Sequence, residues 1–236
     1  YRQVYPEYLP RPDWSSRDKL LEKMARRDMN NRRAVMNIPE FYVGSILAVT
    51  IGDEFAPMKV NRFVGICIER GGHMLYHWFI LRNVVDGSGV EMKYELYNPL
   101  IQKIEVLKLE KRLDDNLTYL RDCPAEYSTF PFNLDAVPLP KGMTVPVNPL
   151  KVKLNPPPWL ERWERMELKG VENNTRKLTK KQQIRAELSK KPWEKHDLML
   201  QYRGSINEVE KDQIMREIYH ENLRKEKKKK VKKFES

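Results

Sequence analysis

The stretch from Trp78 to Tyr97, WFILRNVVDGSGVEMKYELY, decides the fold of this chain. Two runs rich in Val, Ile, Phe and Tyr flank Asp86-Gly87-Ser88-Gly89, and glycine tolerates the positive φ that a tight hairpin turn requires. The same composition extends to either side, with a second glycine turn at Gly71-Gly72. We therefore predict five strands: Ser45–Ile51, Val60–Glu69, Trp78–Val85, Val90–Tyr97 and Ile104–Leu109.

These strands are too short to form a stable open sheet with two buried faces. Rolling them into a small barrel removes the edges and encloses one apolar core. The sequence thus predicts a compact β-barrel over residues 38–123, in a mainly β chain with α-helical and extended arms. At the end of this range, Lys111–Cys123 fits either a short helix or an extended strand.

Composition excludes several classes of protein. With 33% charged residues and a mean hydropathy of −0.71, the chain has no apolar run long enough to cross a membrane, so no membrane partner is expected. Two cysteines, Cys67 and Cys123, cannot form a disulfide framework or a four-cysteine zinc site. A reducing or matrix-like compartment fits best.

The net charge of +11 is unevenly distributed. Residues 1–37 contain nine Lys and Arg against five Asp and Glu, residues 38–123 ten against twelve, and residues 124–236 twenty-five against sixteen. Strong basicity predicts a polyanionic partner, either nucleic acid or an anionic membrane surface, and of these we expect nucleic acid, which the flanking arms rather than the barrel should attract.

The N-terminal arm, residues 1–37, carries one predicted helix. Ser15 and Asp18 resemble a capping box, and apolar residues follow at helical spacing from Leu20 to Ala25. We expect the helix to pack peripherally on a core, and the arginines near its end either complement the helix dipole or reach phosphates. Those candidate RNA-binding residues are Arg26, Arg27, Arg32 and Arg33.

Two segments follow the barrel. Residues 124–178 are rich in proline and should run extended over a neighbour's surface, with Trp159 and Trp163 as anchors that contact another protein. Residues 179–236 form a basic extension with predicted helices at Thr179–Lys191 and Ser205–Lys230. Its terminal cation run should be solvated or bound to anions, and the candidates for RNA are Lys227, Lys228, Lys229 and Lys230.

Catalytic and metal-binding patterns are missing from the sequence. His73 and His77 are four residues apart, but a hairpin removes the meaning that this spacing has on a helix. Cys67 lies in the middle of a predicted strand and is better explained as a small buried residue than as a nucleophile. We expect no enzyme activity, no metal and no cofactor.

Basic residues on and beside the barrel form a second candidate RNA-binding set. The alternative is routine ion pairing with Glu69, Glu91, Asp114 or Asp122. The candidates are Lys59, Arg62, Arg70, His73, Arg82, Lys111, Arg112 and Arg121.

Four motifs in order resemble the bacterial-type family of protein nineteen of the large ribosomal subunit. They are IPEFYVGS (38–45), FVGICIERGG (63–72), NVVDGSGVEMKYELYNPLIQKIEV (83–106) and LTYLRD (117–122). The resemblance implies an SH3-like barrel that binds large-subunit ribosomal RNA near the subunit interface. It also implies a bridge to the small subunit and contacts with neighbouring proteins, including protein fourteen. Arg82 and Arg121 match basic positions of the family, and His73 replaces a loop arginine.

The departures from the family are informative. KRLDDN (111–116) places Asp114 and Asp115 where cations are expected, so some RNA contacts of the barrel should be lost or replaced. The long flanks resemble the additions of mitochondrial ribosomal proteins. We therefore expect a structural constituent of the mitochondrial large subunit, in the matrix. The alternative is a non-ribosomal SH3-like adaptor that binds a peptide or RNA, with a cage among Tyr42, Tyr76, Trp78 and Tyr94.

Overall fold

A computed structural model describes residues 5–140, 142–172, 179–189 and 191–234. The chain divides into two compact units. One comprises residues 1–35, 73–75 and 179–236, and the other comprises residues 36–72 and 76–178. The division into four segments at residues 37, 123 and 178 stays a prediction.

The second unit is built on one antiparallel sheet in the strand order β4-β3-β2-β1-β5. The five predicted strands are confirmed, each bound lying within three residues of its predicted place. They are β1 (Ile46–Gly52), β2 (Val60–Gly71), β3 (Trp78–Val85), β4 (Ser88–Glu95) and β5 (Ile101–Lys108).

The hairpin between β3 and β4 forms where the glycines predict it. Val85 pairs with Ser88, and the two residues between them have positive φ, 50° at Asp86 and 76° at Gly87. Positive φ at both central positions matches the right-handed twist of the flanking strands. The second predicted turn contains Gly72 with φ 82°.

The sheet is barrel-like but not closed, which corrects the expectation that rolling removes every edge. Strands β4 and β5 lie at opposite ends of the order, and no ladder joins them in the described ranges. The outer edge of β5 is instead met by the chain that follows, because the Val137 N–H donates to the Leu107 carbonyl at 2.7 Å. A later segment therefore forms hydrogen bonds with part of the β5 edge, which in a closed barrel would pair with another strand.

The proline-rich segment folds back onto its own barrel, and its predicted contact with a neighbour's surface stays a prediction. The Lys111 N–H donates to the Pro146 carbonyl at 2.9 Å, and the Asn148 N–H donates to the Lys111 carbonyl at 2.8 Å. Val152 and Leu154 are buried in one core cluster with β2 and with the 3₁₀ turn Thr118–Asp122. That turn settles the choice for the end of the barrel in favour of a short helix.

The first unit is helical. Its α-helices are α1 (Lys19–Val35), α2 (Lys180–Ser189), α3 (Leu198–Gly204) and α4 (Glu208–Phe234). The two predicted C-terminal helices are confirmed, and α3 was not predicted. No helix in the described ranges combines the length and the apolarity that a membrane crossing needs.

Helix α1 differs from its prediction at the cap and in the face it buries. Asp18 alone caps it, because its carboxylate accepts the Leu20 N–H at 2.8 Å, whereas Ser15 belongs to a separate 3₁₀ turn. Ala25 and Met29 are buried, but Leu20 is exposed. The buried face of α1 is therefore the one that contains Ala25 and Met29, and the leucines near the start of the helix lie outside it.

Candidate nucleic-acid interface

Two of the candidate arginines on the barrel meet at one carboxylate. Strand β3 carries Arg82 and strand β4 carries Glu91, and the register places the two residues directly opposite each other. Glu91 Oε1 accepts hydrogen bonds from Arg82 Nη1 at 2.7 Å and from Arg121 Nε at 2.9 Å, and Oε2 accepts one from Arg121 Nη2 at 2.8 Å. Ion pairing, the predicted alternative to RNA binding, is therefore observed for Arg82 and Arg121.

Two arginines share one carboxylate in this cluster, and their hydrogen bonds favour the ionised form of Glu91. Burial opposes ionisation of Glu91, but hydrogen bonds from Arg121 and then Arg82 outweigh it and hold the pKa of the carboxyl below its ordinary value. The hydrogen bond to Glu91 likewise raises the pKa of Arg121. The site is therefore a partly buried triad of two arginines and one carboxylate, and Glu161 and Glu69 also act electrostatically on Arg121.

Arg62 and Arg70 are engaged by the backbone of the chain itself. Arg62 Nη1 donates to the Phe132 carbonyl at 2.7 Å. Arg70 donates to the Phe41 carbonyl, lies 4.1 Å from the centre of the Phe41 ring, and approaches His77 Nε2 at 3.2 Å. Because a guanidinium can only donate, His77 Nε2 is the acceptor, and Nδ1 then donates to the Gly72 carbonyl at 3.3 Å.

The cations just beyond β5 are also occupied within the chain. Lys111 Nζ lies 4.0 Å above the Tyr42 ring, a cation–π contact. Arg112 is 9% exposed and its Nε lies 4.0 Å from the buried carboxylate of Glu110. The Arg112 side chain is therefore nearly buried, whereas Lys111 is half-buried.

Lys59, Arg62 and His73 are the exposed members of this set. Lys59 follows the turn between β1 and β2 and has a φ of 56°. His73 belongs to the helical unit, where burial and then Arg11 lower the pKa of its imidazole. The structure therefore leaves most of the barrel candidates in internal contacts and brings only Arg82 and Arg121 together.

Three of the four candidate arginines of α1 form ion pairs within the chain, and the fourth is exposed. Arg33 pairs with Glu7 and lies 4.3 Å from the centre of the Tyr5 ring. Arg32 pairs with Asp28 at 3.0 Å, and Arg26 with Glu217 of α4 at 3.5 Å. Arg27 is exposed. Lys227–Lys230 belong to α4, and their side chains lie outside the described part of the structure.

The two predicted tryptophan anchors hold the chain to itself. Trp163 is 4% exposed, stacks edge-on against Tyr119 with ring centres 6.4 Å apart, and donates its indole N–H to Asp122 Oδ2 at 2.6 Å. Trp159 donates its indole N–H to the Asn155 carbonyl at 2.7 Å and packs against the same cluster. Their contact with another protein stays a prediction.

Asp114, one of the two aspartates that depart from the family pattern, binds the returning segment. Asp114 Oδ1 accepts the Lys169 N–H at 2.9 Å and Oδ2 accepts the Gly170 N–H at 2.7 Å. The same carboxylate accepts the Tyr119 hydroxyl at 3.3 Å. The sequence placed Asp114 and Asp122 only as partners of nearby cations, and their actual partners are backbone and indole groups about 40–55 residues later in the chain.

Asn83 is a buried hydrogen-bonding residue beside Arg82 that the sequence prediction missed. It is fully buried in β3, donates to the Val64 carbonyl at 2.7 Å and accepts the Phe130 N–H at 2.9 Å. The signal was available, because Asn83 shares the inward face of the strand with Phe79 and Leu81. A polar residue at an inward position predicts a buried hydrogen-bonding role.

The structure gives no support to the other chemistries considered. Within the described ranges, no group of three or more His, Cys, Asp or Glu side chains is placed to hold a metal ion. Burial raises the pKa of the Cys67 thiol to about 12, which disfavours a nucleophilic thiolate. The suggested aromatic cage is not formed, because Tyr94 is buried against Phe79 with ring centres 5.6 Å apart.

Comparison with known proteins gives consistent matches. Residues 20–128 match the family model described as Ribosomal protein L19. The chain is 55% identical over 221 residues to Large ribosomal subunit protein bL19m of Drosophila melanogaster, covering 94% of this chain and 72% of the relative.

Two bacterial relatives match a shorter range. Large ribosomal subunit protein bL19 of Campylobacter hominis is 32% identical over 108 residues, 45% of this chain and 88% of the relative. The protein of that name from Malacoplasma penetrans is also 32% identical over 108 residues, covering 74% of its length. The similarity to the fly protein therefore includes most of the extensions, whereas the bacterial similarity does not.

Proposed function

Since this chain belongs to the ribosomal protein L19 family, we propose that it is a structural constituent of the large subunit of the mitochondrial ribosome, where it binds ribosomal RNA and supports translation. The observation that carries the proposal is the 55% identity to a large-subunit protein over 94% of the chain. Agreement over that length includes the barrel and most of both extensions, so it concerns the whole architecture.

The physical role follows from the described contacts. The barrel and the proline-rich segment form one hydrogen-bonded body, and many of its cations are paired internally. RNA helices offer phosphates and 2′-hydroxyls rather than readable major-groove edges, so such a protein binds by shape and charge. Binding then places a rigid body in an assembly, and no substrate is transformed.

The finer placement follows the family resemblance. The protein lies near the subunit interface, contributes to a bridge with the small subunit and touches neighbouring proteins, including protein fourteen. On the barrel, the triad of Arg82, Glu91 and Arg121 supports an RNA contact, because it has two guanidinium groups for one carboxylate and the Arg121 side chain is 31% exposed. Lys59 and Arg27 are exposed and add to the set that phosphates can reach.

Affinity capture of the tagged full chain from mitochondria tests this function. We expect large-subunit ribosomal RNA to be enriched over small-subunit RNA in the captured material, under conditions that separate the two subunits. Equal recovery of both RNAs, or of neither, would contradict the proposal. Deleting residues 225–233 tests the cation run separately, because unchanged incorporation and salt resistance would remove it from the RNA-binding set.

A further inference from the structure

A groove runs between helices α1 and α4 of the helical unit, with a volume of about 700 Å³. Five basic side chains line it, against two carboxylates. Lys23 and Arg27 stand on α1, and Arg216 and Arg224 stand on α4, all four of them exposed. We refer to this feature as the α1–α4 groove.

The carboxylates of the α1–α4 groove are already engaged by α1. Glu217 pairs with Arg26 at 3.5 Å, and Glu221 accepts a hydrogen bond from the Asn30 amide. Beneath them Ile218 is buried, so these contacts and the apolar packing together hold α4 against α1. The two carboxylates thus serve the docking of α4.

The remaining cations form two rows. On α1 the row is Lys23 and Arg27, four residues apart, and on α4 Arg216 and Arg224 are eight residues apart with His220 between them. Four residues of helix rise about 6 Å, which is comparable with the separation of neighbouring phosphates on one RNA strand. No partner within the described part of the chain engages the four exposed cations.

On this basis we propose that the α1–α4 groove is a binding site for an RNA sugar–phosphate backbone, composed jointly by the N-terminal helix and the C-terminal extension. The inference rests on the proposed ribosomal function and names a site for it. A protein partner fits less well, because Met24 is the one exposed apolar side chain among the described lining residues. Gln213 and Asn30 add amide groups that can bond to phosphate or 2′-hydroxyl oxygens.

The site also gives a reason for the Arg26–Glu217 ion pair and the Asn30–Glu221 hydrogen bond in the groove. With its two carboxylates paired to α1, helix α4 brings its own arginines to the same opening as Lys23 and Arg27. Neither helix alone presents both rows, so the site requires α4 to be docked. The match to the bacterial relatives covers less than half of the chain, and the groove depends on the part that lies beyond it.

Photocrosslinking in assembled ribosomes tests the occupant directly. Gln213 lines the groove without a charge, and Gln213→p-benzoylphenylalanine places a photoreactive group there in the full chain. The matched control is the same replacement at Gln183, which is exposed on α2. We expect an adduct with large-subunit ribosomal RNA, several times more abundant at Gln213 than at Gln183. Adducts with protein or lipid alone, no adduct, or equal RNA adducts at both positions would overturn the proposal.

The same experiment separates this site from the general function. Variants that fail to enter large subunits would count against the proposed function, whereas variants that enter and crosslink only to protein would count against the groove.

A salt titration provides a second readout with the purified full chain and a double-stranded RNA hairpin as the probe. The groove variant carries Lys23→Gln, Arg27→Gln, Arg216→Gln and Arg224→Gln, and its control carries Lys180→Gln, Lys181→Gln, Arg185→Gln and Arg203→Gln. Each phosphate contact contributes roughly 0.7–0.9 to the slope of log affinity against log salt, so we expect the loss of four contacts to lower that slope by about 3–3.5 in the groove variant and by less than about 1 in the control. Equal losses would overturn the assignment. Circular dichroism of both variants verifies that the helices remain folded.

Discussion

The carboxylate of Asp122 accepts the indole N–H of Trp163 at 2.6 Å and the backbone N–H of Leu160 at 3.1 Å. Asp122 ends the 3₁₀ turn beside the barrel, and Trp163 lies about 40 residues further along the chain. One side chain therefore fixes the point to which the proline-rich segment returns, and Trp163 fills the core there. The extension is part of the same folded body as the sheet.

Removing this anchor should destabilise the protein. We expect Trp163→Ala to lower the free energy of unfolding by about 3–5 kcal/mol, because a buried aromatic side chain leaves a cavity. Asp122→Ala should cost about 1–3 kcal/mol, since the indole N–H loses its acceptor. Urea denaturation measures both, with Trp193→Ala as the control because Trp193 is 64% exposed. Equal stabilities of Trp163→Ala and Trp193→Ala would contradict the anchoring role.

The Arg82–Glu91–Arg121 triad predicts a pH dependence of stability. The folded state lowers the pKa of Glu91, so its contribution is complete above the unfolded pKa, near 4.5, and is lost as the pH falls through the folded value. Glu91→Gln should therefore be less stable than the parent at neutral pH, and the difference should shrink in acid. Urea midpoints from about pH 3 to about pH 7 measure this.

The control for the triad is Glu54→Gln, which removes an exposed carboxylate from the turn between β1 and β2. Its stability should follow the parent at every pH. A difference between parent and Glu91→Gln that is constant across the pH range would contradict the shifted ionisation.

Gly44, which lies just before β1, packs closely against Arg112, which follows β5. Its φ is +98°, and an added Cβ would lie 2.6 Å from Arg112 Cγ and 2.9 Å from the Arg112 backbone nitrogen. We expect Gly44→Ala to cost about 1–2 kcal/mol from the left-handed conformation and a further ~1–3 kcal/mol from overpacking. Gly87→Ala is the matched control, because it has φ +76° and nothing within 4 Å. Thermal unfolding should show the larger loss at Gly44, and equal losses would rule out the packing contribution.

The docking of α4 on α1 should depend on the two buried isoleucines of α4. Replacing Ile214 and Ile218 with alanine removes apolar area that the ion pairs cannot replace, because an exposed pair contributes about 0–1 kcal/mol. Amide hydrogen exchange should accelerate in α4 and α1, while the strands keep their protection. Val209→Ala is the control, since Val209 is 63% exposed. Uniform acceleration in the sheet and the helices would contradict local release of α4.

Much of the fold could be predicted because its signals are local. Asp86-Gly87 marks the β3–β4 turn, and alternating apolar residues mark the strands, so five strands were found within three residues. The cap of α1 was assigned to the wrong residue pair, since Ser15 and Asp18 are both good cap formers and only geometry distinguishes them. Helix α3 has seven residues, too few for a periodic pattern to be decisive.

The candidate site was less predictable, because the partner of a charged side chain is a tertiary property. Asp114 sits where a cation was expected, and nothing nearby in sequence reveals that it binds the N–H groups of Lys169 and Gly170. Proline content predicted an extended segment, but not the surface it covers. That surface is the chain's own barrel, because Val152, Leu154 and Trp163 complete a core with β2.

Sedimentation of a mitochondrial lysate on a sucrose gradient, with detection of this protein in each fraction, examines its assignment to the large subunit. We expect the protein to co-sediment with large subunits and with assembled ribosomes, and nuclease digestion to move it towards the top of the gradient. Recovery of the protein only in the top fractions, with intact large subunits sedimenting without it, would show that it is not a constituent of the large subunit.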